Sequence, residues 1–177
     1  MKTTRQQHQL RPLKTSIVIT NCLLIVQYIL GMTINLFYNI PFDSIDLKNG
    51  SFVEKTGLAF GYARTSGFLS LQLHWLDACL LIVMSIILFV LGIKVRAKVV
   101  WVISILLFLI FSVATVSGAA FIAYAGSNYY SFSMATAFIL ASILSVYLLF
   151  YAFTSAHRTF LVPLDKPAQS AIMNGDT

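Results

Sequence analysis

Four almost continuously apolar stretches, 16–37, 71–93, 99–124 and 133–153, leave this chain few ways to fold. Each is at least as long as the ~20 residues an α-helix needs to cross ~30 Å of hydrocarbon. Lipid offers the backbone no hydrogen-bond partners, so a spanning segment has to be a helix or part of a closed β-barrel. A barrel needs strands of alternating polarity about ten residues long, and the sequence has none. Only 10% of the residues are charged and 58% are hydrophobic, whereas soluble domains carry about 25% charged residues. The chain therefore reads as an all-α, four-helix transmembrane bundle with the lipid bilayer as its first partner.

The stretches divide the chain into a basic N-terminal segment (1–15), the first span (16–37), an external loop (38–70), the second span (71–93), a cytoplasmic turn (94–98), the third span (99–124), an external turn (125–132), the fourth span (133–153) and a cytoplasmic tail (154–177). The first span follows a basic start, as in a signal peptide. It is too long for one and has no small-residue cleavage site after it, so it reads as a retained helix. The cations Lys2, Arg5, Arg11, Lys14, Lys94, Arg96, Lys98, Arg158 and Lys166 fall on one side. Lys48, Lys55 and Arg64 fall on the other, balanced by Asp43, Asp46 and Glu54. The cation-rich side is expected to be cytoplasmic, with both termini there. Tyr38, Trp75, Tyr124, Tyr129 and Tyr130 then lie at the outer interface, where amphipathic rings prefer to sit. Short turns between the last three spans predict antiparallel neighbours in an up-down bundle. In the long loop, Asn49-Gly50 signals a turn, Asn49-Gly50-Ser51 matches a glycosylation sequon, and 58–68 reads as a short helix along the interface. The proline- and glycine-containing end of the tail, 163–177, reads as disordered.

Several function classes find no support. The net charge of +6 comes from cations at the edges of apolar blocks, not from a basic stripe with interleaved aromatics, so nucleic acid is not a partner. Cys22 and Cys79 are expected at different depths and form no C-x-x-C pair. Haem in a four-helix membrane protein needs two histidines at one level. His74 is the sole histidine inside a span, since His8 and His157 lie outside. His74, Asp77 and Cys79 on one helix do not make a closed zinc site. No nucleophile elbow, metalloprotease motif or phosphate-binding glycine loop occurs. The expectation is no metal, no cofactor and no catalytic residue to name, and a protein that is more readily non-enzymatic than an enzyme.

Three sets of residues remain as candidates. Asp77 is the one acid inside a span, and His74 three residues earlier shares its face. Such a pair shuttles protons or binds ligands, or caps the bundle through Asn35, Asn39, Asn128 and Arg64. A polar pocket of Asn35, His74, Asp77, Asn128 and Arg64 follows. Counting depth at 1.5 Å per residue puts Gln27 level with Ser85, Ser142 and Ser145, a midplane layer of helix-to-helix hydrogen bonds. Finally, Ser133, Ala137, Ala141 and Ser145 on the fourth span, and Thr115, Ala119 and Ala123 beside Gly118 on the third, form strips of small residues. Such strips let backbones approach closely.

The run Gly31-Met32-Thr33-Ile34-Asn35-Leu36-Phe37-Tyr38-Asn39-Ile40-Pro41, the pair Leu73-His74 and the segment from Ser117-Gly118-Ala119-Ala120-Phe121 through Asn128 to Met134 resemble a group of small bacterial four-helix membrane proteins of unknown function. The resemblance covers the membrane region and leaves out both tails. It implies a bacterial cytoplasmic-membrane setting and Asn35 and His74 as shared features, and it carries no activity. Two functional expectations stand at this point. One is a non-enzymatic protein acting by association, with itself as a homo-oligomer or within a membrane complex. The other is binding or passage of a small ligand or ion through an outward-facing pocket around His74 and Asp77.

Overall fold

A computed structural model describes residues 2–37, 50–124 and 126–160, with side chains described over 11–37, 50–124 and 126–154. These residues form five helices: α1 (Lys2–Phe37), α2 (Phe52–Thr65), α3 (Leu69–Lys94), α4 (Lys98–Ala123) and α5 (Asn128–Phe160). Four of them hold stretches long and apolar enough to cross a membrane: Arg11–Phe37, Leu69–Lys94, Lys98–Ala123 and Asn128–Thr154. This is the pattern of a multi-pass membrane protein. The expected tail disorder, Asn39 and Lys166 lie outside the described residues.

Each long helix buries one narrow stripe at helical spacing. On α1 it is Leu13, Ile17, Thr20 and Leu24, and on α5 it is Ala137, Ala141, Ser145, Leu148 and Ala152. The opposite faces carry large apolar side chains in the open, among them Ile143 at 61% and Phe150 at 67% exposure. Water does not tolerate an apolar surface this extensive on a monomer; acyl chains solvate it at no cost. α1 packs on α3 and α5, and α4 packs on the same two helices, so the long helices form a ring in the order α1, α3, α4, α5.

Two cores result. The larger joins Leu13, Ile17 and Leu24 of α1 to Leu81 and Leu88 of α3, Val100 to Phe111 of α4, and Ala141, Leu148 and Ala152 of α5. The smaller lies at the other end, where Ala59 and Ala63 of α2 pack on Leu71 of α3 and on Ala119, Ile122 and Ala123 of α4.

Some element boundaries differ from the sequence reading. The first helix runs back to Lys2, and its packed stripe begins at Leu13, ahead of Ser16. Lys14 does not exclude this turn from the bundle, because its Nζ bends over the Phe153 ring, 4.9 Å from the centroid; long cationic side chains reach out while their stems stay apolar. The loop helix occupies Phe52–Thr65 rather than 58–68. Ser51 caps it, its Oγ accepting from the Glu54 N–H at 3.3 Å. Ser51-Phe52-Val53-Glu54 is an S-x-x-E start signal that the charged residues Glu54 and Lys55 obscure when apolarity alone is followed. At the α3–α4 turn Arg96 takes a left-handed φ of 57°, with Ala97 N–H bonded to the Gly92 carbonyl at 3.0 Å, the wrap that closes many helix ends.

Candidate functional site

The two cores do not meet everywhere. Between them lies a cavity of about 530 Å³, walled by α1, α3, α4 and α5 and roofed by Ala59, Phe60 and Ala63 of α2. Leu24, Leu81, Phe111 and Ala141 form its floor from the larger core, while Leu71, Ala119 and Ile122 come from the smaller. Most of the wall is apolar or aromatic. Gln27, Asn35, His74, Thr115 and Ser131 break it, and among the described residues no Lys, Arg, Asp or Glu side chain lines it.

His74 is the best-placed polar group, and a short network holds it. Asp77, only 4% exposed, sits one turn along the same face of α3. The Gln27 amide of α1 reaches between them. One orientation of that amide satisfies its surroundings. Its nitrogen donates to Asp77 Oδ2 at 2.8 Å and to the His74 backbone carbonyl at 3.1 Å, and its oxygen accepts from His74 Nε2 at 3.3 Å. The reverse orientation would set the amide oxygen against two acceptors. A buried carboxyl in an apolar environment needs such a partner, and either charge state of Asp77 offers the amide an acceptor oxygen. Gly31, one turn beyond Gln27, lets the ring approach α1: a Cβ there would stand 3.3 Å from His74 Cε1.

The remaining candidates distribute as follows. Asn35 lines the cavity and is exposed; Asn128 and Arg64 are exposed and stand apart from its wall. Gln27, which depth counting grouped with Ser85, Ser142 and Ser145, lies against His74 instead. The reason is the earlier start of the span. Measured over Arg11–Phe37, the helix centre falls at Leu24, which shares a core with Leu81 of α3, and Gln27 comes level with Asp77. Ser85 bonds within its own helix, its Oγ donating to the Ile82 carbonyl at 2.6 Å. Ser145 is buried and Ser142 half-buried on α5. Of the small-residue strips, Ala119, Ala123, Ala137, Ala141 and Ser145 are buried inside the bundle. Ser133 meets Ser117 of α4, the hydroxyls 3.0 Å apart. Thr115 is half-buried and bonds back to the Phe111 carbonyl at 2.7 Å. Both cysteines are free thiols, and among the described residues no three His, Cys, Asp or Glu side chains gather as metal ligands.

Comparison with protein-family models, with curated proteins and with solved structures finds no match to this chain.

Proposed function

We propose that this chain is a multi-pass membrane protein that binds a small, largely apolar molecule in the cavity between α1, α3, α4 and α5, with His74 and Gln27 as the polar anchor. One observation carries the reading: a cavity of about 530 Å³ whose apolar wall is broken by a histidine held in place from behind. Ligand pockets are typically about 300–1,000 Å³, mostly apolar, with a few placed polar groups. The distribution of Lys and Arg supports both termini in the cytoplasm, helices alternating in direction, and a cavity in the outer half of the bilayer. The resemblance to small bacterial membrane proteins favours a bacterial cytoplasmic membrane.

Association with a second copy or a larger complex loses part of its motivation, because most of the small residues are buried within one chain, Ala119 and Ala123 against Ala59, Ala63 and Leu71, and Ser133 against Ser117. Binding is favoured over catalysis because Asp77 lies behind Gln27 and off the cavity wall, so His74 faces the cavity with no acid beside it. Native mass spectrometry of the protein released gently from its own membrane tests the reading. A small-molecule adduct that Ala78→Leu, which fills the wall beside His74, and His74→Phe both remove is the expected result. An identical spectrum for all three chains would refute it.

A further inference from the structure

The position of the cavity's rim and the absence of charge among the described residues of its wall say more about the occupant. We infer that the cavity admits a neutral, membrane-dissolved amphiphile sideways, through the gap between α1 and α5, and sets its one uncharged polar group against His74. This rests on the reading of the cavity as a binding site and adds the class of ligand and its route.

The route follows from which wall residues are exposed. Tyr28, Met32 and Asn35 of α1 and Ala135 and Ile139 of α5 line the cavity and are exposed at the same time. Every wall residue from α2, α3 and α4 is buried or half-buried. The rim therefore runs between α1 and α5. Beyond Leu24, none of the residues Ile25–Phe37 is buried: α1 touches α3 there through Gln27 and Gly31 and leaves its side towards α5 open. The stacked rings of Tyr28 and Phe138, centroids 5.3 Å apart, form the sill of the gap. All five rim residues fall within the spans Arg11–Phe37 and Asn128–Thr154, and Ile139 is 58% exposed. The gap thus faces acyl chains. The end of the cavity is closed by α2, which is fastened to the α4 end by the Phe52–Tyr124 stack, centroids 6.2 Å apart, and by Lys55 Nζ lying 5.5 Å over the Tyr124 ring.

Neutrality follows from the wall. Moving a charged head group from water or the headgroup layer into an apolar cavity whose wall holds no counter-charge among the described residues is strongly unfavourable. Asp77 lies behind Gln27 and does not reach the wall. A hydroxyl loses much less on entry, and it regains a hydrogen bond by donating to His74 Nδ1, the acceptor nitrogen left when Nε2 donates to Gln27, or through Asn35 at the rim.

Photolabelling of the full chain in phosphatidylcholine vesicles tests this. Three probes share one aryl-diazirine body and end in a hydroxyl, a carboxylate or a quaternary ammonium. Saturable labelling of wall residues such as Met134 and Phe138 by the alcohol, roughly tenfold or more above both charged probes, is expected. Ala135→Trp and Ile139→Trp, which set an indole in the gap, are expected to suppress it. Val53→Trp on the open face of α2, where Val53 is 78% exposed, should leave it unchanged. Equal saturable labelling by all three probes overturns neutrality while leaving the binding reading in place. Labelling that survives both gap variants overturns the sideways route. No saturable labelling by any probe counts against the binding site itself.

Discussion

At the scale of single residues, Gln27 is the hinge of the account. Its amide is the donor that Asp77 Oδ2 and the His74 carbonyl share, and the acceptor for His74 Nε2. Gln27→Leu keeps the apolar bulk and removes all three bonds, which strands a carboxyl that is 4% exposed. The expected loss is about 1–3 kcal/mol of stability, read as a lower thermal midpoint of the reconstituted protein. Asp77→Leu together with Gln27→Leu should recover part of that loss, since removing both partners of a buried polar pair is far less costly than removing one.

The elements make their own predictions, chiefly where two helices come closest. A Cβ on Gly92 would stand 2.8 Å from the Trp101 backbone nitrogen and 3.1 Å from Trp101 Cβ. Neither atom is the loose end of a side chain, so Gly92→Ala has to push α3 and α4 apart and should cost about 1–3 kcal/mol. In the same turn, Arg96 occupies a left-handed conformation (φ 57°) that costs a non-glycine residue about 1–2 kcal/mol. Arg96→Gly should therefore raise the thermal midpoint even though it removes a charge. The Ser117–Ser133 contact between α4 and α5 is a single interhelical hydrogen bond. A double-mutant cycle with alanines should give a coupling of about 0.6 kcal/mol.

These elements also show what the sequence made legible. Four spans could be read because hydrocarbon thickness and backbone hydrogen bonding leave no alternative for blocks of that length. The small residues of α4 and α5 recur at helical spacing and are legible as strips, but which helix each one meets is not: Ser133 reaches Ser117, while Ala119 and Ala123 turn to Ala59, Ala63 and Leu71. The Gln27–His74 contact is not legible either, because it depends on the register between α1 and α3. That register shifts by about a turn when Lys14 is allowed to bend outward and Leu13 to join the core. The roof helix differs for a similar reason: apolarity points to 58–68, whereas the Ser51 cap and the buried Ala59 and Ala63 fix Phe52–Thr65.

As a whole molecule, the protein is a ring of four long apolar helices with a hollow between two cores, and the proposed entry is from the lipid side. With Cys22 and Cys79 replaced, a single cysteine at Ser51 or Ser127 should react with an impermeant maleimide added to intact cells, and one at Ala97 should not; the reverse pattern would invert the bundle. The most direct test of the hollow itself uses Trp75, which lines it. In a Trp101→Phe background the reconstituted protein holds one indole, and 4-bromophenol, a small neutral quencher, acts on contact. Quenching that saturates, and that Ala78→Leu converts to the shallow linear decline of simple partitioning into lipid, is the predicted result. The same linear decline with and without Ala78→Leu would mean that nothing binds between the cores.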